Sequence, residues 1–250
     1  LMIGRMYQVQ KASRTSFIRL RQLNYHVREW GTPRPGQLPL FMVHGWMDVS
    51  ASFQFVVDAM QQDRHIIAPD WRGFGLTDVG KVDTFWYPDY LADLDALVDH
   101  FQPEGHIDLL GHSMGGMIAQ RAWAYAPQLI QGYVLSATSA AFGKSDGDWQ
   151  KEFVRQRVAP LDAGRTLPDH APGMLRTMMA ADAAGPAVDL LIATVSLMRE
   201  ETFRAAVAAI ATFEGRALLP TMHVPVLCVA GELDRTAPAE VMAKIIKILF

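Results

Sequence analysis

Apolar positions recur along this chain with two alternating periods. Residues 17–20 and 23–30 are short β-rich runs, and the turn cluster Gly31-Thr32-Pro33-Arg34-Pro35-Gly36 follows them. Residues 38–43 form an unbroken apolar run that stops at His44-Gly45, as expected of a strand covered on both faces. Phe53, Val56, Val57 and Met60 then recur at helical spacing, with Ser50 or Ser52 available as N-cap. The alternation continues with a strand at 65–69 and a helix marked by Leu91, Leu94, Leu97, Val98 and Phe101. A strand at 107–110 precedes a helix lined by Met117, Ile118, Ala122 and Tyr125, and a strand at 133–135 follows. Strands alternating with helices predict an α/β fold, a mostly parallel sheet with helices on both faces.

The alternation stops near residue 138 and resumes near 222. Between them the pattern predicts helices around 149–158, 174–181, 188–198 and 203–213, separated by Pro168, Pro172 and Pro186. A strand at 226–230 and a helix at 238–249 close the chain. The expected organisation is an α/β core over 17–138 and 223–250, a helical insertion over 139–222, and an unassigned segment over 1–16. No internal repeat or low-complexity tract is visible.

Composition narrows the partners. The 250 residues suffice for one α/β domain, and half of them are hydrophobic. Lys plus Arg number 23 against 26 Asp plus Glu, so nothing favours nucleic acid or an anionic membrane. No apolar stretch reaches the ~20 residues of a spanning helix, and without a basic start followed by an apolar run and a small-residue cleavage site no secretion signal is expected. Cys228 is the one cysteine and lies in an apolar run, so an inert buried thiol and a reducing, cytoplasmic setting are expected.

Three segments carry candidate chemistry. Gly111-His112-Ser113-Met114-Gly115 matches G-x-S-x-G, entered from a buried strand and left by an amphipathic helix. Such a turn needs small residues on both sides of the serine, because the backbone is crowded there. It exposes Ser113 at the carboxyl end of the sheet, near a helix N-terminus whose field favours developing negative charge. His44-Gly45-Trp46 ends an earlier strand, so the N–H groups of Trp46 and Met114 are candidates for an oxyanion hole. Gly231-Glu232-Leu233-Asp234 follows the last strand, and Asp234 is the better carboxylate to orient an imidazole. Against these stand plainer readings: a glycine-rich turn with an incidental serine, a loop shaped by His44 and Gly45, and a solvated loop acid.

These residues together resemble the α/β-hydrolase superfamily, over most of the chain from about 17 to 249. Asp70-Trp71-Arg72-Gly73-Phe74-Gly75 is similar to its D-x-R-G-x-G loop, for which the sequence alone suggests no chemical role. The resemblance implies that the helical insertion is a cap roofing the pocket. It also implies a serine esterase, lactonase or C–C hydrolase branch, because dehalogenases and epoxide hydrolases usually place aspartate at the position of Ser113. The partner implied is a small-molecule ester or lactone, with no metal and no organic cofactor. The insertion's Met174, Met178, Met179, Leu190, Leu191, Met198 and Phe213 suggest an apolar substrate. One of Arg155, Arg157, Arg165, Arg176, Arg199 and Arg204 could hold a substrate carboxylate.

The base is missing from this pattern. The family supplies a histidine a couple of dozen residues past the acid, and only 16 residues follow Asp234, none of them histidine. His65, His106 and His223 precede strands, at the wrong end of the sheet; His26 lies in the early hairpin. His112 adjoins Ser113, but neighbouring side chains on such a turn are expected to point apart. His170 lies in the insertion and His44 is expected to be structural. With the start at Leu1 and the apolar stripe of the last helix, this sets the expectation of a longer chain carrying a further strand and helix. The alternatives are a catalytically dead ligand-binding homologue and a cofactor-free dioxygenase of the same fold.

Overall fold

The computed structural model describes residues 7–81, 85–103, 105–143 and 147–250. β1 (Ser13–Leu20) and β2 (Leu23–Trp30) form an antiparallel hairpin across Arg21-Gln22. Both turn residues have positive φ, 44° and 68°, the left-handed pair that matches the twist of a two-residue hairpin. β3 (Leu40–Val43), β4 (Ile66–Pro69), β5 (Ile107–His112), β6 (Ile130–Ser136) and β7 (Val226–Val229) complete the sheet. The strand order is β1-β2-β4-β3-β5-β6-β7. β2 meets β4 antiparallel, and β4, β3, β5, β6 and β7 run parallel.

β3 and β4, at the centre of the sheet, are apolar and buried throughout because both of their faces are covered. In β3, Phe41 and Val43 join one buried cluster, while Leu40 and Met42 join another on the opposite face. α1 (Gln54–Ala59) supplies Val57 to the second cluster. α2 (Tyr87–Phe101) and α3 (Met114–Tyr125) pack on the first, through Leu94, Leu97 and Ile118 among others. Each such fully buried side chain contributes roughly 1.5–3 kcal/mol. α8 (Ala239–Leu249) contributes Met242 and Ile245 to the first cluster.

Among the described residues four α-helices and a short 3-10 turn (Leu219–Thr221) separate β6 from β7: α4 (Asp148–Asp162), α5 (Leu167–Thr177), α6 (Pro186–Leu197) and α7 (Glu200–Ala211). α5 starts seven residues earlier than its periodicity predicts. Pro168 stands in its first turn, where a missing N–H leaves no bond unmade, and Thr166 caps it by accepting from the Asp169 N–H. Pro172 lies inside the helix, so neither proline separates elements. β7 also departs from expectation. Leu227 and Val229 are exposed and Cys228 is half-buried rather than sealed, although burial still pushes its thiol pKa up. Among the described residues no helix is long and apolar enough to cross a membrane.

Candidate active site

β3, β5, β6 and β7 are parallel, so their carboxyl ends share one edge of the sheet. Pairing of Val43 with Gly111 and of His112 with Ser136 sets that edge level. Ser113 stands between β5 and α3 with φ 55° and ψ −119°, a conformation that costs a non-glycine residue of order 1–3 kcal/mol. Four hydrogen bonds hold the turn there: Ser136 O accepts from the Ser113 N–H (2.9 Å), and Ser113 O accepts from the Gly116 N–H (2.9 Å), the Met117 N–H (3.2 Å) and the Thr138 hydroxyl (2.8 Å). A Cβ on Gly111 would lie 2.4 Å from the Gly115 carbonyl oxygen, so the crossing of strand and helix tolerates only glycine. Ser113 is half-buried, and among the described residues its Oγ has no hydrogen-bond partner.

Met114 is the first residue of α3 and is buried, as is Trp46 just past β3. Among the described residues, neither backbone N–H meets an acceptor. The Trp46 side chain is pinned by the insertion: its Nε1 donates to the Phe203 carbonyl (3.2 Å), and the two rings lie 4.7 Å apart. His44 fixes the strand end before it. The Trp71 N–H donates to His44 Nε2 (3.0 Å), so Nδ1 carries the proton and donates to Gly45 O (2.7 Å).

Asp234 follows β7, on the same edge of the sheet as Ser113 and Trp46. It is half-buried, and its Oδ1 accepts from the N–H groups of Thr236 (2.7 Å) and Ala237 (2.9 Å), shaping the turn into α8. It does not line the cavity described next.

That cavity encloses about 540 Å³ and brings Ser113 and Trp46 together. Its wall is apolar, with Met47, Phe53, Phe55 and Leu110 from the core and Leu175, Met178, Ala187 and Leu191 from α5 and α6. Of the seven apolar insertion residues singled out in the sequence, Met178 and Leu191 reach this wall and the others do not. None of the six insertion arginines lines it.

His112 lines the same cavity as Ser113, and its Nδ1 pairs with Ser136 Oγ at 3.1 Å rather than with Ser113. The remaining histidines are engaged elsewhere or distant in the fold. His26 Nδ1 pairs with Asp70 Oδ2 (2.7 Å), His65 Nε2 with Glu29 (2.9 Å), His106 Nδ1 with Gln128 O and His170 Nε2 with Arg157 O. His223 precedes β7, at the end of the sheet opposite Ser113.

The 70–75 loop has a role that its motif did not disclose. The Asp70 carboxylate accepts from the Ser50 N–H (2.8 Å), the Leu76 N–H (3.1 Å) and His26. It therefore ties the segment after Trp46 to β2. Burial pushes its pKa up, but the His26 hydrogen bond, nearby His44 and Ser50 outweigh burial and hold it at about 2. Gly75 (φ 53°) is forced, since a Cβ there would lie 2.3 Å from Asp70 Oδ2. Arg72 meets buried Asp93 through two nitrogens, at 2.6 and 2.7 Å, and so docks the loop on α2. Two charges, Asp70 and Arg72, in an otherwise apolar stretch were the available signal; their distant side-chain partners His26 and Asp93 were not.

The family model described as alpha/beta hydrolase fold matches residues 39–249. A serine hydrolase-like protein of Danio rerio is 34% identical over 110 residues, 44% of this chain; the match spans only 33% of that relative's length. A pimeloyl-[acyl-carrier protein] methyl ester esterase of Legionella pneumophila (strain Corby) is 27% identical over 226 residues, 88% of this chain and 84% of the relative. Among solved structures, an enol-lactonase from Burkholderia xenovorans LB400 superposes with a TM-score of 0.77 at 19% identity, covering 93% of this chain and 87% of that one.

Proposed function

This chain belongs to the alpha/beta hydrolase fold family, and from that premise we propose that it is a serine hydrolase cleaving a small carboxylic ester or lactone through an acyl-enzyme. One observation carries the reading. Ser113 is held in a strained left-handed turn on the wall of an apolar cavity that Trp46 also lines, and among the described residues the N–H groups of Trp46 and Met114 have no partner.

In this reading Ser113 Oγ attacks the substrate carbonyl carbon and gives its proton to a base. The negative charge that moves to the carbonyl oxygen is held by the Trp46 and Met114 N–H groups, each worth roughly 3 kcal/mol. Collapse breaks the ester C–O bond, the alcohol leaves with the proton, and water then releases the acid from Ser113. With a lactone, alcohol and acid stay in one molecule, and the product is a hydroxy acid. Asp234 orients the imidazole and balances its charge. None of the eight histidines of this sequence hydrogen-bonds Ser113 Oγ, so the reading requires an imidazole that is not among them. The inserted helices act as the cap that closes the pocket, and their apolar wall favours an apolar acyl group.

The test is turnover of p-nitrophenyl butyrate and of methyl esters, the class named for the Legionella relative, by the purified protein. Turnover that Ser113→Ala abolishes supports the reading. Absence of turnover with every ester and lactone tried overturns it. The lack of a histidine partner for Ser113 Oγ favours a second reading, a ligand-binding homologue without catalysis. That reading expects saturable binding of the ester with no release of p-nitrophenol.

A further inference from the structure

A second cavity, of about 270 Å³, shares only Asp48 with the Ser113 cavity. Its wall combines His26 and Arg28 of β2, Asp70 and Phe74 of the 70–75 loop, and Met198 and Arg199 at the junction of α6 and α7. The volume is below the ~300–1,000 Å³ of drug-sized sites, which restricts an occupant to a small molecule. Four polar side chains in this wall, His26, Asp48, Ser50 and Asp70, are more than nine-tenths buried. Burying so many polar groups around a void is costly unless something there completes their hydrogen bonds.

The hydrogen-bond inventory indicates what would complete them. Asp70 is already supplied with donors on both oxygens and Asp48 on one. Asp70 takes the Ser50 and Leu76 N–H groups and His26, and Asp48 Oδ1 takes the Val49 N–H and the Ser52 hydroxyl. The cations are not matched in the same way. Neither Arg28 nor Arg199 has an ion-pair partner among the described residues. Arg28 makes one side-chain hydrogen bond, to Ser13 Oγ (2.9 Å), and its buried Nε has none. His26 spends its Nδ1 proton on Asp70, which leaves the Nε2 lone pair without a partner. The cavity thus presents the Arg28 guanidinium with its buried Nε unmatched, the solvent-exposed Arg199 guanidinium, the buried Ser50 hydroxyl without a partner among the described residues, one imidazole nitrogen short of a donor, and an apolar flank of Phe74 and Met198.

We propose that this cavity binds a small hydroxycarboxylate. Arg28 and Arg199 hold its carboxylate, its hydroxyl donates to His26 Nε2, and its short carbon chain rests on Phe74 and Met198. Arg28 belongs to the sheet and Arg199 to the inserted helices, so the bound anion fastens one to the other. Asp48 places that fastening next to the Ser113 cavity. Nothing in this assignment depends on the chemistry of Ser113.

The test is an NMR titration with 3-hydroxybutyrate and with butyrate, following backbone amides. Saturating shifts at His26, Ser50 and Met198 are expected with 3-hydroxybutyrate, and affinity about tenfold weaker for butyrate, which lacks the hydroxyl. Arg199→Gln, at an exposed helix start, weakens both by about tenfold or more. Leu191→Trp, which fills the Ser113 cavity, leaves both affinities unchanged. The proposal is overturned if nothing saturates, if shifts stay confined to the Ser113 cavity, if the two acids bind equally, or if Arg199→Gln binds as the parent does.

Discussion

A Cβ on Gly115 would stand 2.2 Å from the carbonyl oxygen of Val43, deep inside contact distance. The glycine after the serine is thus where α3 touches the end of β3, the strand that delivers Trp46. Gly115→Ala must push that strand end away, and overpacking of this kind costs about 1–3 kcal/mol. Urea unfolding should report a loss of that size. Under the proposed function, ester turnover should fall further than the stability loss accounts for, because the Trp46 N–H moves with the strand.

Ser113 offers a test that separates strain from chemistry. Ser113→Ala should lower ester turnover by roughly a million-fold, the scale of removing a hydrolase nucleophile. Ser113→Gly should be equally inactive yet more stable than the alanine variant by about 1 kcal/mol, since glycine adopts φ 55° without penalty. Equal stabilities by thermal denaturation would mean that the turn is not strained.

Asp70 gives the fold a defined acid sensitivity. Its pKa is about 2 in the folded state against an ordinary 3.8, so its ionised form is stabilised by folding. That contribution is fully present above pH ~4 and is lost as pH falls towards 2; the difference corresponds to about 2 kcal/mol. Asp70→Asn should lower stability at pH 6 and flatten the stability profile between pH 4 and 2, as measured by urea unfolding at each pH.

His44 is sealed between Gly45 and Trp71 and accepts the Trp71 N–H. His44→Ala leaves that buried N–H unmatched and should cost roughly 1–3 kcal/mol. Under the proposed function kcat should fall more than KM rises, because the segment carrying the Trp46 N–H loosens while the apolar cavity remains.

Leu191 lines the Ser113 cavity from α6. Leu191→Trp should raise KM for p-nitrophenyl octanoate by about tenfold or more and leave the acetate nearly unaffected, since the added ring takes the space of a long acyl chain. Equal effects on both esters would remove the insertion from acyl recognition.

The sequence alone determined the architecture of this protein and the place of its candidate chemistry. Apolar runs such as 38–43, bounded by turn residues and followed by helical spacing, read as strands covered on both faces and joined by helical crossovers. Because those strands are parallel, the segments after 43, 112 and 229 had to meet at one edge, which is how Trp46, Ser113 and the turn holding Asp234 were legible. The four inserted helices were legible for the same reason, with α5 misplaced because a proline permitted in a first turn reads locally as a break. Only the tertiary structure decided which side chains share a cavity: Met178 and Leu191 rather than their methionine and leucine neighbours, and His112 beside Ser113. It alone paired His26 with Asp70 and Arg72 with Asp93, residues 44 and 21 positions apart. Periods of 2 and 3.6 residues record which face of an element is buried, but not which distant element lies against that face.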